Sequence, residues 1–129
     1  MRILLDTHLL IWAVAEPARL DRETADDLED TANEILFSAA SIWEIAIKYR
    51  LSRPDFVHEP NEIARAAQHT GFTELPVRAT TAAMVATLPP LHRDPFDRLL
   101  IAQALAEPAL LYTADVRLAP YSDLVRRVG

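Results

Sequence analysis

The chain has 129 residues, half of them apolar, no cysteine and a formal charge of -6. That size suits a single domain, 1–129, with its own core, and the missing thiols exclude a disulfide framework, a zinc-thiolate site and a cysteine nucleophile. No apolar run reaches the roughly 20 residues that cross a bilayer, and Met1-Arg2 leads into a strand without a cleavage pattern, so the expected setting is cytoplasmic, with no membrane partner. The negative charge argues against a simple phosphate-binding surface, which is normally basic. It is concentrated, however: from Glu16 to Glu34 eight acidic residues face Arg19 and Arg22, and the remaining chain is near neutral. Such a run reads first as a solvated helix face, with a cationic partner as the weaker alternative.

Ile3-Leu4-Leu5 lacks polar alternation, as expected of a strand covered on both faces in a parallel sheet, and it runs into Asp6. His8 to Ala15 reads as a short helix stopped before Glu16-Pro17. Asp21 to Thr31 reads as a second helix, with Asp21 as its cap and Leu20, Ala25 and Leu28 as a thin apolar side. Glu34 to Ser38 is the second strand and Ala39 to Leu51 the third helix, ended by Ser52-Arg53-Pro54; a βαβ alternation is emerging. Asp55 to Pro60 is loop. Asn61 to Thr70 is a helix with Ile63, Ala66 and Ala67 inward, closed by Gly71 as a left-handed cap. Phe72 to Leu75 forms a short strand and Arg78 to Leu88 a helix closed by Pro89-Pro90. After the connector Leu91-His92-Arg93, a strong helix runs from Asp94-Pro95-Phe96-Asp97 to Glu107. Ala109 to Thr113 is a strand, Asp115 to Ala119 one helical turn, and Leu124 to Val128 a last strand.

Four carboxylates stand where chemistry is usually done. In open α/β sheets ligands bind outside the carboxyl ends of the strands, and Asp6 and Asp115 each follow an apolar strand. Each also has a structural role, as cap of the helix or turn that follows. On the third helix Ser41, Glu44, Lys48 and Ser52 form one narrow stripe while apolar residues, Trp43 among them, fill nearly everything else, so the helix is expected to be buried almost all round. Glu44 is then either an exposed partner of Lys48 or part of an internal polar site. Asp94 reads mainly as an N-cap, with Pro95 at the first helical position. Asp97 shares its face with Leu100, Ile101 and Ala104, toward the sheet, where a buried charge needs a cation or strong donors.

Gathered together, these groups would repel and some would bind protons, unless a divalent cation joined them. All-oxygen ligation selects a hard ion, Mg2+ or Mn2+, which polarises phosphate and activates water, with Lys48, Arg93 and Arg98 near enough to meet a substrate. His8, His58, His69 and His92 share no spacing and read as surface or satisfied core residues. Trp12 and Trp43 read as core. Thr7 and Ser38 serve either as caps or as hydrogen-bond partners of the ligands. With Gly71 and Gly129 the sole glycines, a phosphate-binding P-loop or dinucleotide fold is excluded.

Leu4-Leu5-Asp6-Thr7, Ser38 followed six residues later by Glu44, Asp97 with the apolar run to Ala104, and Thr113-Ala114-Asp115 form a familiar succession. It resembles the PIN-domain ribonucleases, in particular the VapC-like toxins that carry the segment His92 to Arg98, and the resemblance covers essentially the whole chain. It implies an α/β three-layer sandwich, with a central, mainly parallel five-stranded sheet flanked by helices. It further implies a Mg2+- or Mn2+-dependent endoribonuclease, a homodimer, an RNA substrate and a VapB-like antitoxin partner. Carried over by position, Asp6, Glu44 and Asp97 match the core acidic ligands and Asp115 a fourth, more variable one. Thr7, Ser38, Asp94 and Thr113 would support them. Two rivals remain at this stage: a receiver-like domain with a phosphoacceptor Asp, and a catalytically silent binding module whose acidic residues are caps.

Overall fold

Alternate residues of the first strand enter two different cores. In the computed structural model, which describes residues 1–128, β1 (Arg2–Leu5) sends Ile3 and Leu5 into one apolar cluster and Leu4 into another. A strand with both faces covered belongs in the middle of a sheet, and the apolar run without alternation reflects that. β1 pairs in parallel with β2 (Glu34–Ser38) on one side and β4 (Leu110–Thr113) on the other. β3 (Thr73–Leu75) extends the sheet beyond β2, and β5 (Val125–Arg127) beyond β4. The order is β3-β2-β1-β4-β5, parallel throughout.

Helices cover both faces, giving the three layers. α1 (Thr7–Ala15), α2 (Arg22–Glu29), α3 (Ala39–Arg50) and α4 (Pro60–Thr70) bring Leu9, Leu28, Ile45 and Ile63 to the cluster around Ile3 and Phe37. α6 (Pro95–Ala106) brings Leu100, Ile101 and Ala104 to the cluster around Leu4 and Leu111, with the short α5 (Ala79–Met84) beside it. Most helix starts follow side-chain caps: Asp6 accepts from Leu9 N, Asp21 from Thr24 N, Ser38 from Ala40 N and Asp94 from Phe96 N and Asp97 N. Gly71 ends α4 at φ 100°, and Phe72 N closes the turn on Ala67 O at 3.0 Å.

Several expected boundaries move. α2 ends at Glu29, two residues short of Thr31, and α4 starts at Pro60 because Glu59, expected in a loop, caps it. The expected single helix from Arg78 to Leu88 is α5 followed by a 3-10 turn, Val85–Thr87. α3 departs most from expectation. It is not buried all round: Trp43 is 62% exposed, and Ile47, Tyr49 and Leu51 also reach solvent, whereas Ser41 and Glu44 are buried. The reading of Trp43 as a core residue is therefore corrected. No described helix is long and apolar enough to cross a membrane.

From β1 the chain moves outward through β2 to β3, then returns to the other side of β1 for β4 and β5. This reversal opens a crevice at the carboxyl ends of β1 and β4, the position where such sheets place their ligands. Asp6 and Thr113 stand on its two sides.

Candidate metal centre

Asp6 follows the last residue of β1, and its extended backbone makes it the cap of α1. One carboxylate oxygen accepts from Leu9 N at 2.9 Å and the other from the Thr113 hydroxyl at 2.5 Å. The side chain is buried. Burial pushes its carboxyl upward against these two hydrogen bonds, and the charge of Glu44 pushes the same way.

Glu44 reaches the same region from α3. Thr7 Oγ1 donates to its Oε1 at 2.6 Å, and Lys48 Nζ lies 2.5 Å from its Oε2. Ser41 Oγ lies 3.0 Å from the Thr7 hydroxyl. A charge buried to 3% exposure needs this degree of satisfaction, and the ammonium one turn away supplies the opposite sign. The Ser41-Glu44-Lys48 stripe thus faces α1, while Ile45 enters the core and Trp43, Ile47 and Tyr49 reach solvent.

The third contribution comes from the start of α6. Asp94 Oδ1 accepts from Phe96 N and Asp97 N, and Pro95 occupies the first helical position. Asp97, in the first turn, meets His92 Nε2 at 2.9 Å through Oδ2. Its carboxyl is pushed up to about 6: burial is the main cause, the His92 contact opposes it, and the charges of Asp94, Asp6 and Glu44 add to it. Negative groups from β1, α3 and α6 therefore act on one another at the crevice. Among the described residues, His92, Asp94 and Asp97 can each offer one ligand atom within 4.8 Å of the others.

The remaining expected residues fall as follows. Asp115 caps the 3-10 turn Val116–Tyr121 and binds Arg117, Oδ2 to Nη2 at 2.7 Å; Arg117 holds its carboxyl below the usual range. Asp6, Glu44 and Asp115 all lie outside the close group that His92 and Asp94 form with Asp97. Thr113 and Thr7 bond Asp6 and Glu44 directly. Ser38 caps α3 and donates to Gln103 Oε1 at 2.6 Å, so its partner is an amide rather than a carboxylate. Arg98, expected to meet a substrate, is turned inward: its guanidinium donates to the carbonyls of Val85 and Pro89 at 3.0 Å each and to Tyr121 Oη at 3.2 Å. That reading is corrected.

Sequence reasoning missed His92 and Arg117 as neighbours of the cluster. Arg117 carries a raised pKa owing mainly to its hydrogen bonds with Asp115, with the charges of Asp97 and Asp94 adding at longer range. A signal for His92 did exist, five residues before Asp97, but a connector between proline and helix gave it no direction. A concavity of about 770 Å³ lies elsewhere, lined by Asp27, Tyr112 and Arg126 at the β4-β5 edge; it holds no part of the acidic group.

The donor set is one of hard carboxylate oxygens with a single imidazole. Burial first, and the neighbouring negative charges with it, raise Asp97, and a divalent cation would offset both, so the residues fit such an ion.

Comparison with known proteins agrees with the geometry. The profile of the PIN domain matches residues 3–124. Ribonuclease VapC22 of Mycobacterium tuberculosis (strain ATCC 25618 / H37Rv) is 32% identical over 121 residues, covering 90% of this chain and 88% of that protein. The crystal structure of VapBC2 from Rickettsia felis bound to a DNA fragment from their promoter contains a chain that matches with a TM-score of 0.73. The match covers all of both chains at 16% identity, a likeness of fold.

Proposed function

The chain belongs to the PIN domain family, and from that we propose that it is a Mg2+- or Mn2+-dependent endoribonuclease, the toxin of a toxin-antitoxin pair. The observation that supports the reading is the close group of Asp97 with Asp94 and His92, where burial and the charges of Asp94, Asp6 and Glu44 raise Asp97 to about 6. RNA is the substrate class because the similar protein is a ribonuclease. A VapB-type antitoxin and a homodimer are proposed partners, and the exposed apolar residues of α3 offer surface for protein contact.

Asp6, Glu44 and Asp97 would hold the ion, with Asp94 beside them. Bound there, a divalent cation polarises the phosphodiester and lowers the pKa of the attacking water. The rest is the work of the chain itself. Thr7 and Lys48 fix the two oxygens of Glu44, and Thr113 and Leu9 N fix those of Asp6, so the carboxylates are oriented before any substrate arrives. Lys48 offsets one negative charge inside the site. Asp115 holds Arg117 at the rim, where its exposed guanidinium and that of Arg93 can meet RNA phosphates. An overall acidic protein thereby presents local positive charge at the mouth of the crevice.

The two rivals are not favoured. A receiver-like domain expects an acidic pair after the first strand, and here Asp6 is followed by Thr7 and His8. A silent module leaves the buried Glu44 without a purpose. Purified protein incubated with total RNA is expected to cleave it with Mn2+ and to stop on chelation, and Asp6→Asn is expected to lose at least about a hundredfold of the rate while remaining folded by circular dichroism. Equal cleavage by Asp6→Asn, or cleavage indifferent to chelation, would refute the assignment.

A further inference from the structure

A nitrogen atom stands beside two of the carboxylates, those of Asp94 and Asp97. His92 Nε2 lies 2.9 Å from Asp97 Oδ2, and the ring is 9% exposed. Two ligands bound at right angles to one ion through bonds of about 2.1 Å are about 3.0 Å apart, so the pair already has the spacing of neighbouring vertices of an octahedron. Opposite vertices would be about 4.2 Å apart, and the three ligand atoms of His92, Asp94 and Asp97 all fall within 4.8 Å of one another.

The imidazole does not reach this place by chance contact. His92 lies in the connector between Leu88 and α6, which is gathered by Arg98: the guanidinium takes the carbonyls of Val85, Leu88, Pro89 and His92, and Tyr121 Oη adds a further contact to His92 O at 3.5 Å. Arg98 follows Asp97 in the chain, so one turn of α6 both offers the carboxylate and positions the backbone that carries the imidazole. Asp115, the other acidic group at this side of the crevice, is occupied by Arg117. Asp115 thus already has a cationic partner, whereas His92 is in contact with Asp97.

Imidazole discriminates between ions that carboxylates treat alike. Mg2+ prefers oxygen and keeps its waters, whereas first-row transition ions accept a nitrogen readily. Resting on the metal-dependent reading above, we propose that His92 is a direct nitrogen ligand of the divalent ion and tilts the site toward Mn2+ over Mg2+. His92 and Asp97 would then both bind the ion, in place of their present contact with each other.

The test uses the full chain loaded with Mn2+. Pulsed electron paramagnetic resonance reads the magnetic coupling of Mn2+ to a directly bound imidazole nitrogen, and calorimetry reads the Mn2+ and Mg2+ affinities. Wild type is expected to show nitrogen coupling. His92→Gln is expected to lose it and to lose about tenfold or more in Mn2+ affinity, with Mg2+ affinity changed far less. His8→Gln, which alters the imidazole nearest Asp6 in sequence, is expected to keep the coupling, so the proposal stays testable even if His92→Gln does not fold. Bound Mn2+ without nitrogen coupling in wild type, coupling lost in His8→Gln, or equal losses of both ions in His92→Gln would overturn the assignment of His92 while leaving the metal-dependent reading intact. A wild-type protein that binds no Mn2+ would overturn both.

Discussion

Asp97 has a side chain 19% exposed, two acidic residues on other elements acting on it, and a neighbouring aspartate three residues away. Its carboxyl sits at about 6, above the ~3.9 of an unfolded chain. Between those values the folded protein binds more protons than the unfolded one, so this group's contribution to stability falls as pH rises from about 4 to about 6 and stays low above that. In the presence of a chelator, the unfolding temperature of wild type relative to Asp97→Asn is expected to drop across that window. A difference that stays level with pH would mean that Asp97 is not under strain from its neighbours. The position of Asp97 toward the sheet was legible in the sequence, because Leu100, Ile101 and Ala104 share its face and all three are buried. His92 was not legible, since its direction depends on Arg98 collecting carbonyls from a connector, which no local pattern announces.

At the scale of elements, α3 teaches the most. Counting apolar side chains suggested a helix enclosed on all sides; its setting against α1 instead decided which stripe went in. Thr7, two residues past β1, offers a hydroxyl that a carboxylate can use, so Ser41 and Glu44 turn toward it and Trp43 and Leu51 turn out. Ile45 is fully buried while Leu51 is 63% exposed, although the sequence made them look alike. Ile45→Ala is expected to cost about 2–5 kcal/mol in chemical denaturation and Leu51→Ala within about 0.5 kcal/mol. Similar losses at both positions would show that α3 is enclosed after all. Helix starts, by contrast, were largely readable. Asp21, Asp94 and Gly71 act through local geometry alone, and each caps where its residue type led one to expect.

At the scale of the whole molecule, the sheet was readable because strand faces leave their mark on composition: β1, apolar on both sides, could only be central. The reversal of strand order around it follows from topology, and it brings Asp6 and Glu44 within reach of Asp97 by charge although 38 and 53 residues separate the three in turn. The acidic run on α2 is largely solvated, as its composition indicated, and takes no part in that crevice apart from its distance-blind share of the net charge. Lys48 on Glu44 was readable from their spacing on one helix, whereas Arg117 on Asp115 and His92 on Asp97 were partners the chain order could not supply. These are side-chain choices made after the backbone is in place.

The central claim is that acidic side chains from β1, α3 and α6 share one divalent cation. Calorimetric titration of Mn2+ into metal-free wild type and Glu44→Gln tests it most directly, because Glu44 comes from the element whose orientation the sequence left open. The account predicts saturable binding in wild type, weakened by at least about tenfold in Glu44→Gln. Identical affinities in the two proteins, or no binding to wild type, would contradict it.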